Sequence, residues 1–546
     1  MKEGFRQSMN WVHTWSGLLV GWVLFMVFAA GTASYYRDEI SFWMKPELHQ
    51  ASLGLPPQAE VVSHTLAALQ QRAPNSQRWF ITLPTTREPG VRASWSAAPL
   101  ARGATEPPLE PGITRRGRFY SAVLDPASGK PLAGARETRG GEFFYRLHFD
   151  LHYMPAVWAR WIIGFCAMFM LVAIVTGIVT HRRIFADFFT FRPKKGQRSW
   201  LDAHNATAVL ALPYHLMITY TGLVTLMLMY MPFGPQLTYK GDPQAFTAEV
   251  FPASGRDPKP SGIAAQLTPI GPLVAQAQQR WGEGGLGRIT VSNPGDAVAT
   301  ITLSRRADRD MSSVQPAMIF NGSSGKLLSE VGEAPGAVLA TRSVLYGLHQ
   351  GRFADPLLRV LFFVSGLAGC VMVATGLLLW AVKERNKYAK VVAKGGRVGW
   401  GSRLVDGLNL GAIAGLMIAI PAFFWANRLL PVGMAARGQA EIDLFFGVWA
   451  VAAIAGLAWP TRRMWMVQLG VAAFLFGALP LLNAATTATH LGVSIPAGLW
   501  AVAGVDLGCL ALGTALLACV GWLARRQPAL KAQRAAPAGL NREPAL

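Results

Sequence analysis

The chain has 546 residues, 51% of them hydrophobic and only 15% charged, and its mean hydropathy is positive, which excludes an ordinary soluble protein. A formal charge of +21 raises nucleic acid as a partner, but the basic residues cluster between apolar runs, where they set membrane topology instead. The four cysteines all lie in apolar runs without a C-x-x-C pair and read as small buried hydrophobes.

Apolar runs at about 14–36, 158–181, 205–231, 355–382, 405–427, 443–460, 464–483 and 496–524 each approach the roughly 20 residues that cross a bilayer. The expected fold is an α-helical integral membrane protein of about eight spans with both termini on one side. Gly31-Thr32-Ala33 resembles a leader-peptide end, but the match of the first span to the third argues that it is retained.

In chain order, the expected parts are span one (1–36), a polar segment (37–157), span two (158–181), and a basic loop (182–204). Span three (205–231), a second polar segment (232–354), span four (355–382) and a second basic loop (383–404) repeat the pattern. Four further spans (405–524) and a tail (525–546) follow, outside the repeat. Arg182, Arg183, Lys194, Lys195, Lys383, Arg385, Lys387, Arg462, Arg463 and Arg525 all fall on one side. The positive-inside rule makes that side cytoplasmic and both polar segments periplasmic, in a bacterial inner membrane.

Each polar segment reads as one helix followed by strands. The first has a helix near 58–72, then strands at Arg78–Leu83, Val91–Trp95 and Phe119–Leu124. The second has a helix over Ala264–Gln279, then strands at Arg288–Val291, Ala297–Leu303 and Pro316–Phe320. Both third strands end in turns, Ser128-Gly129-Lys130 and Ser324-Gly325-Lys326. Residues 1–382 are therefore two parallel copies of span, α+β domain, span, related by a pseudo-two-fold axis along the membrane normal.

Four histidines occupy matching positions of the repeat: His13 and, 191 residues on, His204; His148 and, 201 residues on, His349. The axis brings His13 towards His204 and His148 towards His349. Paired imidazoles are what a six-coordinate haem takes as axial ligands, and without Cys-x-x-Cys-His the haem is b-type, two per chain. Further histidines are candidates of lower rank. His215 lies eleven residues past His204, about 16 Å deeper and about 20° round on one straight helix. His152 follows His148 by four residues, and His181 ends span two. Arg146, Arg160 and Arg352 are candidates for propionate contacts. His49, His64 and His490 read as surface residues. Met227, Met229 and Met231 alternate and line no single helix face, and Asp506 is a lone acid inside the last span.

The chain resembles the PepSY-associated transmembrane-helix family. The residues that carry the resemblance are His13-Thr14-Trp15-Ser16-Gly17-Leu18, Leu147-His148, Leu348-His349-Gln350-Gly351-Arg352, Thr176-Gly177 and Thr375-Gly376-Leu377-Leu378-Leu379-Trp380, with the two Ser-Gly-Lys turns. Span three departs from the pattern, reading His204-Asn205-Ala206-Thr207-Ala208. The resemblance covers residues 1 to about 390. It implies an inner-membrane haem b oxidoreductase that passes electrons from the cytoplasmic side to a ferric siderophore in the periplasm. No nucleotide-binding loop or hydrolase triad is present, so the donor is a separate protein or a quinol. The alternatives are a non-redox PepSY-domain protein that binds peptides or a protease, and a transporter whose pathway is residues 405–524.

Overall fold

A computed structural model describes residues 3–49, 55–85, 87–96, 109–132, 134–181, 192, 197–250, 258–308, 310–396 and 399–525. The loop basics Arg182, Arg183, Lys194 and Lys195, the tail beyond residue 525 and most of the 182–204 loop lie outside the described residues.

The first repeat begins with a long apolar helix α1 (Glu3–Ser34), followed by α2 (Arg37–Trp43) and α3 (Gln58–Arg72). Strands β1 (Arg78–Thr82), β2 (Val91–Ser96), β3 (Ile113–Arg116) and β4 (Phe119–Leu124) come next, then α4 (Gly140–Asp150) and α5 (Ala156–Thr180). The second repeat opens with α6 (Gln197–Leu210) and α7 (Leu212–Thr225), followed by short helices α8 (Met227–Tyr230), α9 (Phe233–Thr238) and α10 (Pro243–Val250). It continues with α11 (Gly271–Trp281), β5 (Leu286–Ser292), β6 (Thr300–Arg305), β7 (Ala317–Asn321), β8 (Leu327–Val331), α12 (Ala337–Gln350) and α13 (Pro356–Ala393). The terminal module holds α14 (Trp400–Asn409), a π-turn (Leu410–Gly415), α15 (Leu416–Leu429), α16 (Arg437–Ala458), α17 (Arg462–Gly477), α18 (Leu479–Thr486), α19 (Leu491–Ser494) and α20 (Trp500–Arg525).

Among the described residues seven helices are long and apolar enough to cross a membrane, and the pair α6–α7 makes an eighth if taken as one span. The chain is a multi-pass α-helical membrane protein carrying α+β domains. All eight expected spans have a counterpart, but span three is corrected in two respects. It starts at Gln197, so His204 sits within a helix and not in a loop, and it bends by 68° at Ala211. Pro213, in the first turn of α7, has no N–H to continue the ladder of α6. The bend also removes the straight-helix argument that put His215 on the same face as His204.

The polar segments do not form two separate sheets. Their strands build one eight-stranded antiparallel sheet in the order β3-β4-β2-β1-β5-β6-β7-β8. The first long strand of each repeat pairs with the other, Phe80 opposite Thr290 and Thr82 opposite Arg288, so the pseudo-two-fold passes between β1 and β5. Each would be an edge strand in an isolated domain, and fusion covers both edges. Two strands, β3 and β8, were not expected, and α11 starts at Gly271 instead of Ala264 because Pro272 sets its first turn.

Trp79 and Ile81 of β1 and Ile289 and Val291 of β5 point to one face, under Val62, Leu66 and Leu69 of α3 and Val274 and Ala277 of α11. Alternation sends Thr82, Arg92 and Arg288 to the opposite face, which looks onto the helical bundle.

The terminal module is bound to the rest through buried polar contacts. Trp22 Nε1 donates to Asn409 Oδ1 at 2.8 Å. The Arg428 guanidinium stacks 3.6 Å from the centroid of Trp43 in α2 and donates to the Trp43 carbonyl at 2.7 Å. Asp506 is not alone: it accepts from Trp43 Nε1 and from Asn483 Nδ2, each at 2.9 Å. His49 is also corrected. It is fully buried, with Nε2 bonded to the Phe42 carbonyl at 2.8 Å and Nδ1 beside the Thr489 hydroxyl. His64 is exposed as expected, whereas His490 is half-buried and caps α19 by accepting from the Gly492 N–H. Cys166, Cys370 and Cys509 are buried, and Cys519 is exposed.

Candidate functional site: two opposed histidine pairs

His13 on α1 and His204 on α6 face each other with ring centroids 6.3 Å apart, at the end of the bundle away from the sheet. His148 on α4 and His349 on α12 face each other at 6.0 Å on the sheet side. Both expected pairings are therefore brought together.

Each imidazole is held in one orientation by the same device. Nδ1–H donates to a helix carbonyl: His13 to Ala173 at 2.8 Å, His204 to Met372 at 2.9 Å, His148 to Val27 at 2.7 Å, His349 to Ile218 at 3.1 Å. A carbonyl only accepts, so the proton is fixed on Nδ1 and the lone pair on Nε2. Four residues beyond each carbonyl is a glycine, Gly177, Gly376, Gly31 and Gly222 respectively, against which the ring rests. A Cβ there would come within 3.2, 3.1, 2.7 and 2.9 Å of the imidazole. This explains the Thr176-Gly177 and Thr375-Gly376 motifs, which are seats for the histidines of the other helix. The same spacing in Val27–Gly31 and Ile218–Gly222 is a signal in the sequence that the histidine pattern alone does not reveal.

The pairs open into two cavities. One, of about 500 Å³, extends from His148 and His349 to the lower face of the sheet; the other, of about 470 Å³, surrounds His13 and His204. Both sizes suit a cofactor. Leu24 and Met170 wall both cavities, so only side chains separate them. His148 precedes its span by several residues, yet α4 packs back against Val27 and Gly31 of α1, which lowers the ring into the bundle.

A transition metal lies about 2.0–2.1 Å from an imidazole nitrogen and the ring centre about 1.1 Å beyond, so two axial ligands stand about 6.2 Å apart centre to centre. The observed 6.3 and 6.0 Å fit that spacing. Among the described residues no group of three or more His, Cys, Asp or Glu is arranged for a metal ion. The residues present fit a bis-imidazole haem at both places.

The lower-ranked candidates divide. His215 is fully buried and lines the distal cavity, its ring 6.0 Å from that of Phe28. Neither of its nitrogens makes a well-formed hydrogen bond, although the carbonyls of Ser365 and Ala208 lie beside it. His181 also lines the distal cavity and bonds Asn205 Nδ2 at 2.9 Å. His152 does not join His148. It lies in a left-handed turn (φ 43°) and stacks on Phe446 at 5.6 Å, because α4 ends at Asp150. Arg160 and Arg352 line the sheet-side cavity. Arg146 does not: it is half exposed and ion-paired to Glu142 and Asp150 at 3.0 and 3.2 Å.

The uncharacterized protein PA4219 of Pseudomonas aeruginosa is 26% identical to this chain over 392 residues, covering 68% of this chain and 92% of the relative. The family model for the PepSY-associated TM region matches residues 10–383, a stretch that contains all four paired histidines and their glycine seats. The chain is thus a member of the PepSY-associated transmembrane family.

Proposed function

We propose that this protein is a di-haem b oxidoreductase of the bacterial inner membrane that reduces ferric siderophore iron to Fe(II) on the sheet-bearing, periplasmic side. The observation that carries the reading is the pair of imidazole couples at axial-ligand spacing, each with its lone pair freed by an Nδ1–H bond to a carbonyl. Haem b, when bound, supplies a reversible one-electron iron couple.

His13 with His204, and His148 with His349, would each hold one haem iron between them through Nε2, and two such ligands would leave no open site for substrate. The Nδ1–H bonds keep each ring from rotating and raise its basicity as a ligand. The apolar walls, Leu24 and Met170 among them, exclude water between the two sites and keep them close. Electrons would enter from a protein or a quinol at the distal end, the side that the positive-inside rule reads as cytoplasmic. They leave towards the sheet, one per Fe(III) reduced. Fe(II) is held less tightly by hard oxygen donors, so the chelate loosens without being cleaved.

Purified protein is expected to contain close to two acid-extractable haem b per chain. After dithionite reduction under anaerobic conditions, a ferric siderophore is expected to reoxidise it while ferrozine develops colour. A colourless preparation from haem-replete cells overturns the redox reading and favours a peptide-binding or transport role. Intact haems that no ferric chelate reoxidises faster than buffer overturn the siderophore assignment alone.

A further inference from the structure

The sheet-side cavity is lined by many positive charges. Nine arginines line it against two acids, Asp38 and Asp308. Several are neutralised locally: Arg87 makes two bonds to Glu39 at 2.6 and 2.7 Å, Arg359 joins the same carboxylate at 3.1 Å, and Arg92 reaches Glu88 at 3.1 Å. Arg288 and Arg352 have no ion-pair or hydrogen-bond partner among the described residues.

Their placement follows from the fold. Thr82 of β1 pairs with Arg92 on one side and with Arg288 on the other, which sets both arginines on the sheet face above the cavity. Arg352 follows Gly351, the left-handed cap of α12, three residues past His349. Both side chains stay solvent-exposed at the cleft, and partial desolvation there, with the like charges of Arg352 and Arg92 after it, holds the Arg288 guanidinium below its ordinary value. Crowded like charges cost free energy in the empty cleft, and an anion bound between them recovers it.

Resting on the di-haem reading, we infer that the mouth between Arg288 and Arg352 is the substrate subsite, and that the chelate it takes is multiply anionic, presenting carboxylate or catecholate oxygens. Guanidinium forks suit paired oxygens. A cleft of one sign also concentrates such ligands, while a cationic hydroxamate chelate is repelled.

Gallium(III) chelates test this without electron transfer. Gallium–citrate and the gallium complex of a cationic trihydroxamate are titrated calorimetrically into the detergent-purified holoprotein. The anionic chelate is expected to bind at least about tenfold more tightly, with the difference shrinking as salt is raised. The double variant Arg288→Gln/Arg352→Gln is expected to lose on the order of tenfold in that affinity, and Arg288→Gln alone to lose part of it with haem content unchanged, whereas Arg146→Gln leaves it intact. Equal binding of the two chelates, or a double variant that binds citrate complex normally, overturns the inference even if both haems are present. Displacement of the chelate by equimolar inorganic phosphate, or by anionic phospholipid in nanodiscs, reassigns the subsite to a phosphate group and also overturns it. A colourless protein that still prefers the anion sinks the haem reading while upholding the charge preference.

Discussion

Gly31 lies directly under the His148 imidazole, so that a Cβ built on it would stand 2.7 Å from Nδ1 and Cε1. The Val27 carbonyl that accepts the Nδ1 proton is one helical turn earlier on the same face of α1. The same relation joins Gly222 to His349, Gly376 to His204 and Gly177 to His13. These glycines matter through close approach, since none of the four has a positive φ.

Glycine-to-alanine substitutions are therefore expected to act in order of clearance. Gly31→Ala and Gly222→Ala, with contacts of 2.7 and 2.9 Å, displace their rings and cost the sheet-side haem, at about 1–3 kcal/mol of overpacking. Gly177→Ala and Gly376→Ala, at 3.2 and 3.1 Å, leave the distal haem bound. Haem-to-protein ratios of the four variants check the order, and uniform retention would contradict the seat.

Each histidine pair is expected to behave as a unit. His13→Ala or His204→Ala removes the distal haem, and His148→Ala or His349→Ala removes the sheet-side one, leaving one haem per chain in every case. Loss of a haem in His215→Ala, with both kept in His148→Ala, would show that His215 is a ligand and His148 is not.

His215→Leu is expected to retain both haems and to shift the potential of the distal one, because it removes a buried polar ring from that cavity. Redox titration followed in the α-band resolves the two couples. Unchanged potentials would leave His215 a packing residue.

Arg428→Met is expected to destabilise the protein by about 3–5 kcal/mol, since it strips the buried charge that faces Trp43 and Asn483. Adding Asp506→Leu should recover part of the loss, because the acid would no longer be buried beside an uncharged side chain. Thermal melts of Arg428→Met, Asp506→Leu and the double variant decide this, and simple addition of the two single costs would refute the coupling.

Asp296 gives a pH prediction outside the membrane. It accepts bonds from Ser261 Oγ at 2.6 Å and from the N–H groups of Gly262 and Val298 at 2.8 and 3.0 Å. These, the Ser261 hydroxyl first, hold its carboxyl at about 2, below the ordinary 3.8. A depressed folded value contributes stability that is full above 3.8 and lost as pH falls through about 2. Hydrogen exchange around residues 261–263 and 296–299, corrected for intrinsic rates, is expected to stay slow down to pH 3.8 and to be fast in Asp296→Asn at neutral pH. Equal protection in the variant would show that the carboxylate does not hold this turn.

Much of the site could be read from the chain itself. Apolar length fixes the spans, because the bilayer sets how many residues must cross it, and the repeat fixes which histidine meets which, because parallel copies are related by one axis. His13, His204, His148 and His349 follow from those two facts. His215 and His152 did not, since period arguments assume straight, continuous helices, and Pro213 bends one of them while α4 stops at Asp150 before the other. Only the tertiary structure decided that two polar segments share a single sheet through β1 and β5, because strand pairing across more than 200 residues leaves no local mark. The same holds for the partners of Asp506 and for the burial of His49, which depend on α2 docking against a module hundreds of residues away. It holds too for Arg288 and Arg352, which have no ion-pair partner among the described residues and whose charges look like ordinary surface residues until the fold brings them to one cleft.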